Sequence, residues 1–187
     1  PTFGYEVVVI IQDGMRRMYE NNENVYYYVT VMNENYTQPE MPKGAEEGIR
    51  KGMYLLKQID ASKKSARVQL MGSGTILREV IAAAELLQKD FDIASDIWSA
   101  TSFTELGRDG MACERWNRMH PEAAPRLPFV AQCLEKRSGP VIAASDYMRA
   151  FPEQIRSNIS QKFVTLGTDG FGRSDTRANL REFFEVN

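Results

Sequence analysis

From residue 52 onward, short apolar runs rich in β-branched residues alternate with segments of helical period, and nothing else in the sequence constrains the fold as tightly. Residues 52–59 (GMYLLKQI) suit a strand or a short helix, with strand preferred. Arg67 to Met71 reads as a strand entering Gly72-Ser73-Gly74, with a helix from Ile76 to Lys89 behind it. A strand over Ile93–Ala100 and a helix over Phe103–Met119 follow. Next come a shorter helix at Phe129–Lys136, a short buried strand at Val141–Ala144 and helical turns over 146–158. A strand at Phe163–Leu166 leads to a last helix from Thr176 to Phe184. Strands separated by helices predict an α/β domain with a largely parallel sheet.

The first forty residues break that pattern. Tyr5, Val8, Val9, Met15 and Met18 recur at three- and four-residue steps, which predicts an amphipathic helix over 3–20. After Asn21-Asn22-Glu23-Asn24, the run Val25 to Met32 (VYYYVTVM) is β-branched and aromatic throughout and predicts a strand buried on both faces. Asn33 to Pro42 is proline-marked and predicts a domain boundary. The chain opens on Pro-Thr-Phe and closes on Phe-Glu-Val-Asn, which reads as a piece of a longer polypeptide.

Composition excludes several classes of function. The 187 residues suffice for one domain or somewhat more, with 43% apolar and 26% charged residues. A net charge of −2 gives no basic footprint for nucleic acid. The longest apolar run, Val7 to Ile11, is far short of the ~20 residues that span a bilayer. Two cysteines, Cys113 and Cys133, make no disulfide framework, so a cytoplasmic setting is expected. With one histidine, a His-rich metal site is excluded within this chain.

Taken singly, the chemistry-bearing residues favour structural roles. Gly72-Ser73-Gly74 lies where backbone N–H groups could meet an anion, yet it lacks a dinucleotide fingerprint and reads first as a tight turn. His120, just before Pro121, suits a helix end or an interface. Cys113 and Cys133 read as small hydrophobes, and Trp98 and Trp116 as core or interface anchors. The pairs Asp92/Asp96 and Glu105/Asp109 could be acid–base partners, but solvated helix or strand edges are the expectation.

Six stretches add more. LGTDGFGRSD (166–175), followed by an amphipathic helix, resembles the closing motif of transketolase-type C-terminal domains. MGSGTILREVIAAAELL and TSFTEL fit the same domain. Asn33-Glu34-Asn35-Tyr36, Glu46-Glu47-Gly48-Ile49-Arg50-Lys51-Gly52 and Cys113-Glu114-Arg115-Trp116-Asn117 resemble the decarboxylase components of homodimeric bacterial pyruvate dehydrogenases. That resemblance implies residues 1–38 as the tail of a pyrimidine-binding domain, 39–43 as a linker and 44–187 as a truncated C-terminal domain. It implies a thiamine diphosphate and Mg²⁺ enzyme that decarboxylates pyruvate and reductively acetylates a lipoyl group of a dihydrolipoyl acetyltransferase. The catalytic, cofactor and metal residues of the family lie upstream and have no match here, so the chain alone is expected to be inactive and to support dimerisation and the cofactor cleft.

Asn33, Asn35, Asp169 and Arg173 remain as candidates for a cleft or interface. Within the motif, Phe171 is expected to anchor the turn in an apolar pocket. Asp169 and Ser174 would close it, Ser174 or Asp175 would cap the last helix, and Arg173 would face a carboxylate across a boundary. Glu34 stands where transketolases carry an arginine for the sugar phosphate, which disfavours phosphosugar donors. A ketol transferase fragment and a non-catalytic α/β interaction domain are the alternatives.

Overall fold

The computed structural model describes residues 1–32, 34–62 and 65–185. Five strands form one sheet: β1 (Tyr54–Ile59), β2 (Arg67–Ser73), β3 (Ala94–Ser99), β4 (Val141–Ser145) and β5 (Phe163–Leu166), in the spatial order β1-β3-β2-β4-β5. β3, β2, β4 and β5 are parallel neighbours, and β1 joins the edge antiparallel to β3 with a register shift between Leu55 and Lys57. The sheet is therefore mostly parallel, as the alternation predicts.

Alternate residues feed two cores. Met71, Trp98, Val141, Ala143 and Phe163 meet Phe103, Leu106, Val130, Leu134 and Ile155 on one face. These last come from α4 (Phe103–Met119), from α5 (Phe129–Leu134) and from just beyond α6 (Ala150–Glu153). Val68, Leu70, Ile97 and Ala144 face the other way, onto Leu77, Val80 and Ala84 of α3 (Ile76–Phe91). Helices on both faces make three layers. The last helix, α7 (Arg177–Phe183), lies outside them and has no buried residue.

Before the sheet come α1 (Gly4–Met15), which continues as a π-helical turn over Arg16–Glu20, and α2 (Glu46–Lys51). The sequence reading assigned no helix at 46–51, although its signals are present. Glu46 and Glu47 occupy the first turn, Arg50 and Lys51 the last, and Gly52 ends it at φ 104°, a left-handed cap that only glycine adopts freely. α1 packs Tyr5, Val9 and Ile10 against Ile49 and Tyr54.

The expected strand at 25–32 is not one. The segment has no ladder partner among the described residues, and Tyr26, Tyr28 and Val31 are exposed. Exposure still alternates along it, with Tyr27 half-buried and its ring so close to Gly14 of α1 that a Cβ there would lie 3.2 Å away. Burial on both faces needs flanking strands.

Candidate functional site

In open α/β sheets ligands favour the carboxyl ends of strands where the winding reverses. Here β2 connects through α3 on one face to β3, and β3 returns through α4 and α5 on the other face to β4. The reversal falls between the ends of β2 and β4. Gly74 turns at φ 58°, and a Cβ there would meet the Asp146 carboxylate at 2.7 Å. Thr75 Oγ1 donates to Asp146 at 2.9 Å. A carboxylate seated in this turn repels a diphosphate, so the turn does not fit that group.

The crevice is instead filled by the N-terminal arm. Thr2 Oγ1 donates to the Gly74 carbonyl at 2.8 Å, and Tyr36 Oη donates to the Thr2 carbonyl. Glu6, fully buried, accepts from the backbone N–H of Thr2 at 2.5 Å and of Phe3 at 3.1 Å. Its other oxygen accepts from Tyr54 Oη at 2.7 Å and Ser99 Oγ at 2.6 Å, on β1 and β3. Tyr54 Oη also pairs with Tyr5 Oη at 2.6 Å. Burial, with the Glu6 charge beside it, raises the Tyr54 phenol far above its usual range, and burial raises Tyr5 to about 12. The signal for Glu6 in the sequence is a glutamate at the third helical position, half of a capping box.

At the other end of the sheet, Asp96 corrects the expectation of a solvated edge. It is fully buried and accepts from Gln58 at 2.8 Å, Arg67 at 2.5 Å, Gln69 at 3.0 Å and Arg137 at 3.3 Å. Trp98 Nε1 donates to Gln69 Oε1 at 3.0 Å, extending the network. Burial alone would raise the Asp96 carboxyl, but the Gln58 and Gln69 hydrogen bonds and the Arg67 charge outweigh it and hold it below the usual range. An open groove of about 700 Å³ lies at this edge, with Asp60, Ser62, Arg67 and Pro140 in its wall. Asp60 and Asp96 already engage Arg67 there.

The other candidates separate. Asp92 ends α3 in the left-handed region and accepts from Ser62; it does not face Asp96. Asp109 accepts from Phe129 N at 2.6 Å, and Glu105 pairs with Arg108 at 3.4 Å. His120 ends α4, its ring stacked on Trp116 at 4.5 Å, while Arg126 lies over Trp116 at 4.0 Å. Burial raises both thiols, Cys133 to about 11, so neither is poised as a thiolate. Among the described residues no three His, Cys, Asp or Glu are grouped to hold a metal ion.

Of the four cleft candidates, Asn33 lies outside the described residues and Asn35 is exposed. Asp169 accepts from Arg149 N at 3.1 Å and pairs with its guanidinium at 2.5 Å. Arg173 sits over the Phe183 ring at 4.4 Å, within its own segment. Three expectations for the turn fail. Phe171 is 96% exposed and fills no pocket, because no core surface lies beneath the turn. The helix is capped by Thr176, whose hydroxyl accepts from Asn179 N at 3.4 Å, while Asp175 holds the Asn179 side chain. Asp169 closes onto residue 149 and not within the turn.

Glu34 is also unlike its expectation. Arg78 at 3.3 Å and Arg177 at 2.7 Å neutralise it, so repulsion of a phosphate by a free carboxylate no longer argues against phosphosugars.

The winding, the two cores and the closing turn define a domain class. The family model "Transketolase-like TK C-terminal domain" matches residues 52–187, and the chain belongs to that family. The model "Pyruvate dehydrogenase E1 component middle domain" matches residues 1–39. The chain is similar to the pyruvate dehydrogenase E1 components of Pseudomonas aeruginosa and Cupriavidus necator, each 59% identical over all of it, and of Escherichia coli K12, 56% identical. It spans 21% of each of these relatives. Transketolase from Campylobacter jejuni is a structural neighbour at TM-score 0.47 and 20% identity, covering 74% of this chain and 17% of that one. Among the described residues no helix is long and apolar enough to cross a membrane.

Proposed function

We propose that these residues are the C-terminal part of a pyruvate dehydrogenase E1 component. Residues 1–38 end its middle, pyrimidine-binding domain, 39–43 are the connection and 44–187 form the C-terminal domain. The observation that carries the reading is the unequal finish of the two parts. The sheet domain's cores are buried, one of them with Phe3 of the arm seated in it, whereas α1 and the turn that continues it leave Val8, Ile11, Met15 and Tyr19 exposed along one stripe. The adjacent segment offers Tyr26, Tyr28 and unpaired backbone edges. A helix with a bare apolar stripe beside a β-branched, aromatic segment without ladder partners is what the margin of a larger α/β domain looks like. Its place, within the residues similar to the E1 middle domain, supports the mapping.

The parent would decarboxylate pyruvate and pass the acetyl group to a lipoyl arm of dihydrolipoyl acetyltransferase, as a cytoplasmic homodimer. Thiamine diphosphate with Mg²⁺ would supply the carbanion-stabilising chemistry there. The turn at 72–75 does not suit the diphosphate, so the residues here brace the assembly and shape the cleft from outside. What favours pyruvate over a phosphosugar is likeness to E1 components, since Glu34 is neutralised.

Two measurements test the reading. The full-length parent with thiamine diphosphate and Mg²⁺ should acetylate a lipoyl domain from pyruvate and leave ketose phosphates untouched; ketol transfer would overturn it. Calorimetric titration of the 187-residue chain with the same cofactor and Mg²⁺ should give no saturable heat, and micromolar binding would overturn the domain mapping.

A further inference from the structure

Glu34 joins three parts of the chain that are remote in sequence. One carboxylate oxygen meets Arg78 of α3 at 3.3 Å and the other meets Arg177 of α7 at 2.7 Å. Arg78 also lies over the Tyr36 ring at 4.9 Å, which adds a second side chain from the segment before the connection to the same junction. None of the residues of α7 is buried, and residues 169–179 before and into it are all exposed. Its second tie to the body is again ionic, Arg181 to Glu79 of α3 at 2.5 Å.

A helix with no buried apolar face opens at low free energy, so the charges decide whether it stays closed. Without the carboxylate, Arg78 and Arg177 would be like charges across the junction, and attraction would become repulsion. We propose that Glu34 is the centre of an ionic latch, through which the segment just before the connection, α3 and α7 hold one another, and that α7 closes fully on the body only while that carboxylate is in place. The latch couples that segment to the turn carrying Asp169 and Arg173, so a displacement of either is felt by the other. It goes beyond the E1 reading and does not rest on it: the latch can fail while that reading stands.

Amide hydrogen exchange by mass spectrometry on the full 187-residue chain tests it. In Glu34→Gln, exchange over 177–183 should rise roughly three- to tenfold, the range expected for two partly exposed ion pairs. Raising KCl from 50 to 500 mM should accelerate the same peptide in the unaltered chain and less in Glu34→Gln, where the Arg181–Glu79 pair is left to screen. Arg177→Gln should reciprocally speed exchange over 34–42. Glu47→Gln, which removes the exposed Glu47–Lys51 pair, should leave both peptides unchanged. The latch is overturned if Glu34→Gln frees only the 34–42 peptide, or if it keeps the full salt response of α7. Should Glu34→Gln not fold, Arg177→Gln, whose side chain is 64% exposed, decides alone: an unchanged 34–42 peptide contradicts the latch.

Discussion

Glu6 and Asp96 are both fully buried carboxylates at opposite ends of one sheet, and they are satisfied in opposite ways. Asp96 takes charge-assisted bonds from Arg67 and Arg137 together with two glutamine amides, all from the sheet domain itself. Glu6 takes two backbone N–H groups of its own arm and two hydroxyls of the sheet, with no cation among these partners. Asp96 is thus a brace inside one body. Glu6 is a joint between two: its bonds to Tyr54 and Ser99 are where the arm grips the sheet. The contrast teaches that a buried charge reports on domain organisation through where its partners come from.

The largest effect should follow Glu6→Ala. It leaves three buried donors, Thr2 N, Phe3 N and Ser99 Oγ, without an acceptor, each costing about 1–3 kcal/mol unless water reaches it, while Tyr54 can turn to Tyr5, so the arm should let go of the sheet. Urea unfolding followed by far-UV circular dichroism should split, α1 melting ahead of the sheet. Limited proteolysis should cut within 33–42 before any site in 67–184, as in the unaltered chain, but sooner. A single unshifted transition would break the comparison.

Asp96→Asn comes next, at about 2 kcal/mol, because one amide oxygen replaces two acceptors while Arg67 and Arg137 can still reach water. Its acid behaviour sharpens the contrast. A carboxyl held below its ordinary value contributes stability that is present above about pH 4 and is lost as pH falls through its lower folded value. Asp96→Asn should therefore be least stable relative to the unaltered chain near neutrality and converge with it in acid. A difference that stays constant from pH 7 to below 3 would show that the charge is not what braces the sheet.

Much of this was legible in the sequence. Period and turn chemistry placed all five strands and the long helices, since alternation between strand and helix leaves few alternatives. The misses have physical causes. Residues 25–32 were assigned burial on both faces from side-chain type, which cannot supply neighbouring strands. An aspartate in a strand points to a solvated edge, whereas Asp96 finds two arginines, Arg67 and Arg137, from different elements. Phe171 was assigned a pocket because an aromatic between two glycines invites one, yet it stands in solvent. Glu34 was read as a free negative charge because both its partners lie far along the chain.

Arg173→Ala should do least to the isolated chain. Its contact with Phe183 is exposed and worth about 0.5–1 kcal/mol, so the unfolding midpoint should scarcely move. In the full-length parent the same variant should weaken dimer association or activity. Normal dimerisation and turnover with a clear loss of domain stability would make Arg173 an internal brace.

The distinction between joint and brace is tested most directly by Glu6→Gln, read by residue-resolved amide exchange. The amide preserves shape and can still accept from the arm's backbone through its oxygen, but its NH₂ must then face Tyr54 and Ser99. Exchange over α1 should accelerate about tenfold, a cost near 1.4 kcal/mol, while β2, β3 and β4 keep their protection. If the strands lose protection in step with α1, Glu6 belongs to the same cooperative body as Asp96, and the two-part account is wrong.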